Sequence, residues 1–211
     1  MARLWLIDFD GTLVDSEKAI KACYLKITLK LVPERLSFIK TMVIGPTLDE
    51  TSRMILTKKN YHLLDKFKKN FQSLYDNKLV LETPQYPTVN DALEKLNGLG
   101  DHIGIITNKR MYPTKKLIDL YNWHHLFIFV ACMDQYPKAQ SKSDLISFLK
   151  INKNEYEKIY LVGDTISDGI AGRVHKIPFI RAEYGYGKKE NWLRIPIYKK
   201  IQKFNEIISI K

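Results

Sequence analysis

Two aspartates one residue apart, Asp8 and Asp10, close a short apolar run and are followed by Gly11 and Thr12. A later apolar run ends in Gly163-Asp164-Thr165, with Asp168 four residues beyond Asp164. A third run ends in Thr107-Asn108. If these runs are strands, their two-residue period puts Asp8 and Asp10 on one side. Gly11 permits the tight turn that lets both face the same site. Four carboxylates would then meet on one rim. Anions gathered this way repel each other unless a counter-ion joins them, and a hard divalent cation with oxygen ligands, most simply Mg²⁺, meets that need. A positive group and a phosphate would complete the balance. Each piece alone is ordinary: Thr-Asn is common turn chemistry, and Gly-Asp-Thr is a common helix N-cap. Their order on three strand ends is what carries information.

The surrounding pattern supplies those strands. Arg3–Phe9 reads as a strand whose apolar residues run continuously up to Asp8 after Arg3, as expected when both faces are covered. The chain then turns helical. Ser16 is the expected cap of a helix reaching about Val32, and further helices are expected over Glu34–Val43, Thr47–Leu56 and Tyr61–Lys78. In the last, Leu64, Phe67, Phe71, Leu74 and Tyr75 mark one apolar face. After Pro84 and Pro87, four helix–strand pairs follow, with strands at His102–Thr107, Phe127–Cys132, Ile159–Val162 and Pro178–Arg181. Tyr198–Ile210 reads as one more amphipathic helix. This alternation implies an α/β fold with a doubly wound parallel sheet. The core would comprise residues 1–14 and 83–211, and residues 15–82 would form an all-helical insertion. In such sheets ligands bind beyond the carboxyl ends of the strands, which is where the aspartates stand.

Composition narrows the partners. The chain has 211 residues and a formal charge of +11, which invites a nucleic-acid reading. The basic residues run no longer than two in a row, as in Lys58-Lys59, Lys68-Lys69 and Lys109-Arg110, and read as solvated surface. With no zinc-finger or RNA-recognition signature, nucleic acid is not the expected partner. The longest apolar run, Leu126–Met133, is too short to cross a bilayer, so no membrane partner is expected. Cys23 and Cys132 are isolated and read as reduced, which suits a cytoplasmic protein. His102, His124 and His125 lack acidic or cysteine partners at zinc spacing and read as structural, and Trp5 as a core residue.

The segments DFDGTLVDS (Asp8–Ser16), ITN (Ile106–Asn108) and GDTISD (Gly163–Asp168) resemble the haloacid dehalogenase-like hydrolase superfamily. The helical insertion resembles that family's first type of cap, and the core its Rossmann-like sheet. AEYGYG (Ala182–Gly187) and Ile44-Gly45-Pro46-Thr47-Leu48 are similar to segments of its phosphoglycolate-phosphatase-like branch.

The resemblance implies a Mg²⁺-dependent phosphatase acting on a small phosphorylated metabolite through an aspartyl-phosphate. Asp8 would be the nucleophile, and Asp10 the general acid and then base. The family's dehalogenases lack a carboxylate at this second position, so Asp10 favours phosphatase or phosphomutase chemistry. Thr12 would orient Asp10 or its surroundings. Asp8, Asp164 and the Asp10 carbonyl would hold the metal, with Asp168 in support. Thr107 and Asn108 would bind the phosphoryl oxygens. A lysine should bridge nucleophile and phosphate, with Lys142 favoured over Lys138. Lys40 and Arg53 could meet a second anionic group on the substrate, or be solvated helix charges. A phosphomutase, a nucleotidase and a non-catalytic binding protein remain as alternatives.

Overall fold

The structure is a computed structural model and describes residues 1–210. Its centre is β1 (Leu4–Ile7), whose four side chains are all buried. Trp5 and Ile7 face one side of the sheet with Ile103, Ile105 and Val162; Leu4 and Leu6 face the other with Ile106 and Leu161. That two-sided burial explains the continuous apolar run. β1 is flanked by β2 (His102–Thr107) and β4 (Ile159–Gly163), in parallel register from Leu4 opposite His102 and Ile159. β3 (Phe129–Cys132) lies outside β2, and β5 (Phe179–Ala182) and β6 (Lys199–Ile201) outside β4. The order is β3-β2-β1-β4-β5-β6, with every pair parallel. Trp5 stacks on Tyr160 and its Nε1 donates to Asp101 at 3.0 Å.

Between β1 and β2 the chain first builds α1 (Glu17–Leu31), α2 (Leu36–Thr41), α3 (Leu48–Leu56) and α4 (Leu64–Leu74). These form an inserted helical cap. Thr47 and Glu50 close a capping box at the start of α3. Tyr24 of α1 packs against Phe71 of α4 with the rings tilted by 34° and their centroids 4.4 Å apart. Two core segments carry the cap. Asp15 N–H donates to the Pro84 carbonyl at 2.8 Å, and Tyr86 N–H to that of Leu13 at 2.9 Å. The chain then forms α5 (Val89–Gly98), α6 (Met111–Leu120), α7 (Lys142–Leu149) and α8 (Ile166–His175) around the sheet.

Three local expectations change. The long helix over Tyr61–Lys78 is broken into a 3₁₀ stretch over Lys58–Leu63, α4, and a π turn over Tyr75–Leu79. Single π turns inside helices are frequent at functional sites, and this one reaches the core. Ser16 heads α1 without a side-chain cap bond; its N–H and hydroxyl are engaged by the Tyr186 hydroxyl at 2.7 and 3.3 Å. The tail over Tyr198–Ile210 is not an α-helix. Lys199–Ile201 adds the edge strand β6, alternating exposed Lys200 with buried Ile201. Phe204 and Ile207 then sit on a 3₁₀ stretch over Phe204–Ser209 and are buried. A three-residue apolar spacing suits a 3₁₀ helix, where residues i and i+3 eclipse, as well as it suits an α-helix.

Candidate active site

β1 ends at Ile7, so Asp8 and Asp10 leave the sheet at its carboxyl edge. The Asp8 N–H still donates to the Val162 carbonyl at 2.9 Å, which fixes the nucleophile candidate to the neighbouring strand. Asp164 follows β4, and Asp168 lies in the first turn of α8. Carboxylate oxygens of Asp8, Asp164 and Asp168 all lie within 4.8 Å of one another, and all three residues are buried.

The rest of the site is built around this cluster. Lys142, the first residue of α7, places Nζ 2.6 Å from Asp168 Oδ1 and 2.8 Å from Asp8 Oδ1. Lys138 is exposed and takes no part. Asp168 Oδ2 accepts from the Thr165 N–H and hydroxyl at 3.0 and 2.8 Å, so both its oxygens are engaged. Asp164 accepts from the Tyr186 N–H at 2.6 Å and from the Thr12 hydroxyl at 3.4 Å. Thr12 thus engages Asp164 rather than Asp10.

Asp10 departs from the expected gathering of four carboxylates. Its side chain stands apart from the cluster, held by Lys109 Nζ at 3.0 and 3.1 Å to its two oxygens. The buried Lys109 ammonium on the neighbouring strand end attracts this carboxylate, whereas the other three carboxylates repel it. Lys109, in a basic pair whose sequence reads as solvated surface, is buried instead. Its place directly after Thr107-Asn108, on the rim, was the available signal.

Thr107 and Asn108 line the same cavity as Asp8, Asp10 and Lys142. The Thr107 hydroxyl accepts from the Lys109 N–H at 3.1 Å. Asn108 Nδ2 donates to the Gly45 carbonyl of the cap at 2.9 Å, while its buried Oδ1 has no partner. The cavity measures about 70 Å³. Its cap wall is mainly apolar, with Ile20, Tyr24, Ile44, Leu48, Phe71 and Tyr75. Lys40 and Arg53 are exposed and do not line it.

Electrostatics follow from burial. Burial and the neighbouring Asp168 push the Asp8 carboxyl up to about 7, against the pull of Lys142. Burial, Asp8 and Asp168 hold Asp164 well above the usual carboxylate range. Burial opposes the Lys142 charge, but Asp168 and Asp8 outweigh it and raise its pKa. When ionised, three carboxylates facing one ammonium leave two negative charges uncompensated. A divalent cation supplies that charge, and the all-oxygen donor set suits a hard ion. The residues present therefore fit a metal.

Elsewhere, Cys23 and Cys132 are free and buried, and burial pushes both thiols up to about 12. His124 and His125 are exposed beside Asp119 and Glu94, at 2.6 and 3.0 Å, and His102 contacts Tyr156 at 3.5 Å. No helix among the described residues is long and apolar enough to cross a membrane.

A carboxylate nucleophile candidate, bridged by lysine and roofed by helices at the carboxyl edge of a parallel sheet, is the arrangement of a phosphatase-type hydrolase. Residues 5–182 match the family described as haloacid dehalogenase-like hydrolase, and the chain belongs to that family. It is 33% identical over 197 residues to a phosphoglycolate phosphatase from Aquifex aeolicus, covering 88% of this chain and 87% of the relative. It is 28% identical over 171 residues to pyrophosphatase PpaX from Bacillus velezensis, covering 80% and 77%. The solved structure of a predicted phosphoglycolate phosphatase from Haemophilus somnus shares the fold, with a TM-score of 0.84 at 21% identity, covering 99% and 97%. The chain thus falls in the phosphoglycolate-phosphatase-like branch.

Proposed function

We propose that this chain hydrolyses a compact phosphomonoester in the cytoplasm through an aspartyl-phosphate on Asp8, with Mg²⁺ as its metal. The observation that carries this reading is the position of Asp8, held by Lys142 at 2.8 Å in a small cavity that Thr107 and Asp10 also line. Residues 15–82 act as the cap and residues 1–14 with 83–211 as the catalytic core.

An Asp8 carboxylate oxygen attacks phosphorus, and the bond from phosphorus to the leaving oxygen breaks. Asp10 gives its proton to that oxygen, so the alcohol leaves neutral. Asp10, now a carboxylate, takes a proton from water as the water oxygen attacks phosphorus. The bond from phosphorus to Asp8 breaks, and phosphate departs. Thr107 and the backbone of Asn108 bind the phosphoryl oxygens, and Lys142 bridges them to Asp8. Phosphoryl transfer depends mainly on such positioning and charge stabilisation. Asp8 and Asp164, with the Asp10 carbonyl, would hold Mg²⁺, and Asp168 orients Lys142. When bound, the ion neutralises charge on the phosphoryl oxygens and keeps Asp8 ionised.

The names of the relatives put phosphoglycolate and pyrophosphate first in a substrate panel. The test is phosphate release from those two and from small alkyl phosphates, with Mg²⁺ and with EDTA. Metal-dependent release lost in Asp8→Asn is expected; full release by Asp8→Asn contradicts the reading.

A further inference from the structure

Lys109 is a buried cation that the proposed chemistry does not use. Its Nζ contacts Asp10 Oδ1 at 3.0 Å, Asp10 Oδ2 at 3.1 Å and Tyr75 Oη at 2.8 Å. A lysine ammonium has three donors, so these contacts occupy all of them. Two donors on one carboxylate fix both its position and its plane. The third binds a residue of the cap, on the π turn that follows α4. The next pair of residues repeats the pattern. Arg110 forks onto Asp76 at 2.9 and 2.5 Å, and Lys116 Nζ donates to the Asp76 carbonyl at 2.8 Å. Consecutive residues of the cap, Tyr75 and Asp76, thus meet consecutive residues of the core, Lys109 and Arg110.

The location of Asp10 gives this contact a consequence. Asp8, Asp164 and Asp168 share one cluster, and Asp10 lies only two residues from Asp8 in the chain. An unheld carboxylate there is free to swing toward a cation in the cluster and be consumed as a further ligand. We propose that Lys109 is a positioning residue that keeps the Asp10 carboxylate out of the metal cluster and on the leaving-group side of the cavity, and that Tyr75 sets Lys109 in that role when the cap is docked. The proposal rests on the reading of Asp10 as acid and base. It ties delivery of the proton to the docked cap through Tyr75 and Lys109.

The test separates leaving groups. Acetate leaves acetyl phosphate without a proton, whereas the alkoxide of ethyl phosphate needs one. The value of kcat/KM reports steps through cleavage of that bond. Asp10→Asn, Lys109→Met and Tyr75→Phe are compared on both substrates. Lys109→Met is expected to lose ~10²-fold on ethyl phosphate, the scale of general-acid catalysis, and under about threefold on acetyl phosphate. Tyr75→Phe, which removes one hydroxyl, is expected to lose roughly tenfold on ethyl phosphate alone. Calorimetry supplies a readout apart from turnover: Lys109→Met should bind Mg²⁺ more tightly than the parent, and Lys109→Met with Asp10→Asn should not. Equal losses on both substrates, or none, in Lys109→Met and Tyr75→Phe overturn the proposal if Asp10→Asn is selective. If Asp10→Asn is itself unselective, the acid–base reading of Asp10 fails first and takes this inference with it.

Discussion

Gly185 is where a single methyl group tests whether Asp164 holds the metal. A Cβ at Gly185 would overlap the Asp164 side chain and the Gly11 carbonyl. The backbone there is not left-handed, so the substitution adds bulk without backbone strain. Asp164 cannot retreat freely, because its carboxylate is tied to the Tyr186 N–H at 2.6 Å and it is buried. Restoring van der Waals contact requires a displacement of about 1 Å, and a shift of that size at a reacting centre costs on the order of 10²-fold in rate. Overpacking should also cost about 1–3 kcal/mol of stability. Gly98→Ala is the control: it lies in α5 with open space around it and should stabilise by roughly 0.5–1 kcal/mol. The assay is kcat/KM titrated with Mg²⁺, beside thermal unfolding. Gly185→Ala should need at least about tenfold more Mg²⁺ for half-maximal rate and recover part of its activity in excess metal. An unchanged Mg²⁺ dependence in a folded Gly185→Ala protein would refute the assignment of Asp164.

Three further outcomes follow from other parts of the molecule. Asp8 has a carboxyl raised to about 7, so the folded metal-free protein holds a proton that the unfolded chain releases near pH 4. Stability in EDTA should therefore fall as pH rises from about 4.5 through about 7, a calorimetric Tm series that Mg²⁺ should flatten. Asp76→Ala leaves the half-buried Arg110 guanidinium unpaired, which should cost about 2–3 kcal/mol and loosen the docked cap. Steady-state kinetics should show KM rising about tenfold with kcat changed less. Cys23 and Cys132, buried with thiols pushed up to about 12, should react with a thiol reagent only on the timescale of unfolding.

The strand-end aspartates and the parallel sheet were readable because each depends on short stretches of chain. Continuous apolar runs ending in Asp8, Thr107 and Asp164 report strands buried on both faces, and their carboxyl ends share a rim by topology. Contacts between distant segments were not readable. Lys109 and Arg110 look like surface charge until the fold sets Tyr75 and Asp76 against them, 34 residues away in sequence. Asp10 was expected with the other carboxylates because spacing records only which side of a strand a residue leaves. It does not record a competing ammonium on the next strand end. Ala182–Gly187 carries a family resemblance in its sequence, but the Tyr186 N–H on Asp164 depends on a close approach that only the folded backbone reveals. The tail misled for a different reason, since Phe204 and Ile207 keep a spacing that two kinds of helix share.

Trapping the intermediate tests the central claim most directly. The protein would be mixed with a turned-over phosphate ester and Mg²⁺, quenched into borohydride, digested and read by mass spectrometry. An aspartyl-phosphate is reduced to homoserine, and the account predicts homoserine at position 8, absent from Asp8→Asn and from a sample without substrate. Homoserine at another aspartate, or sustained hydrolysis by Asp8→Asn, would contradict it.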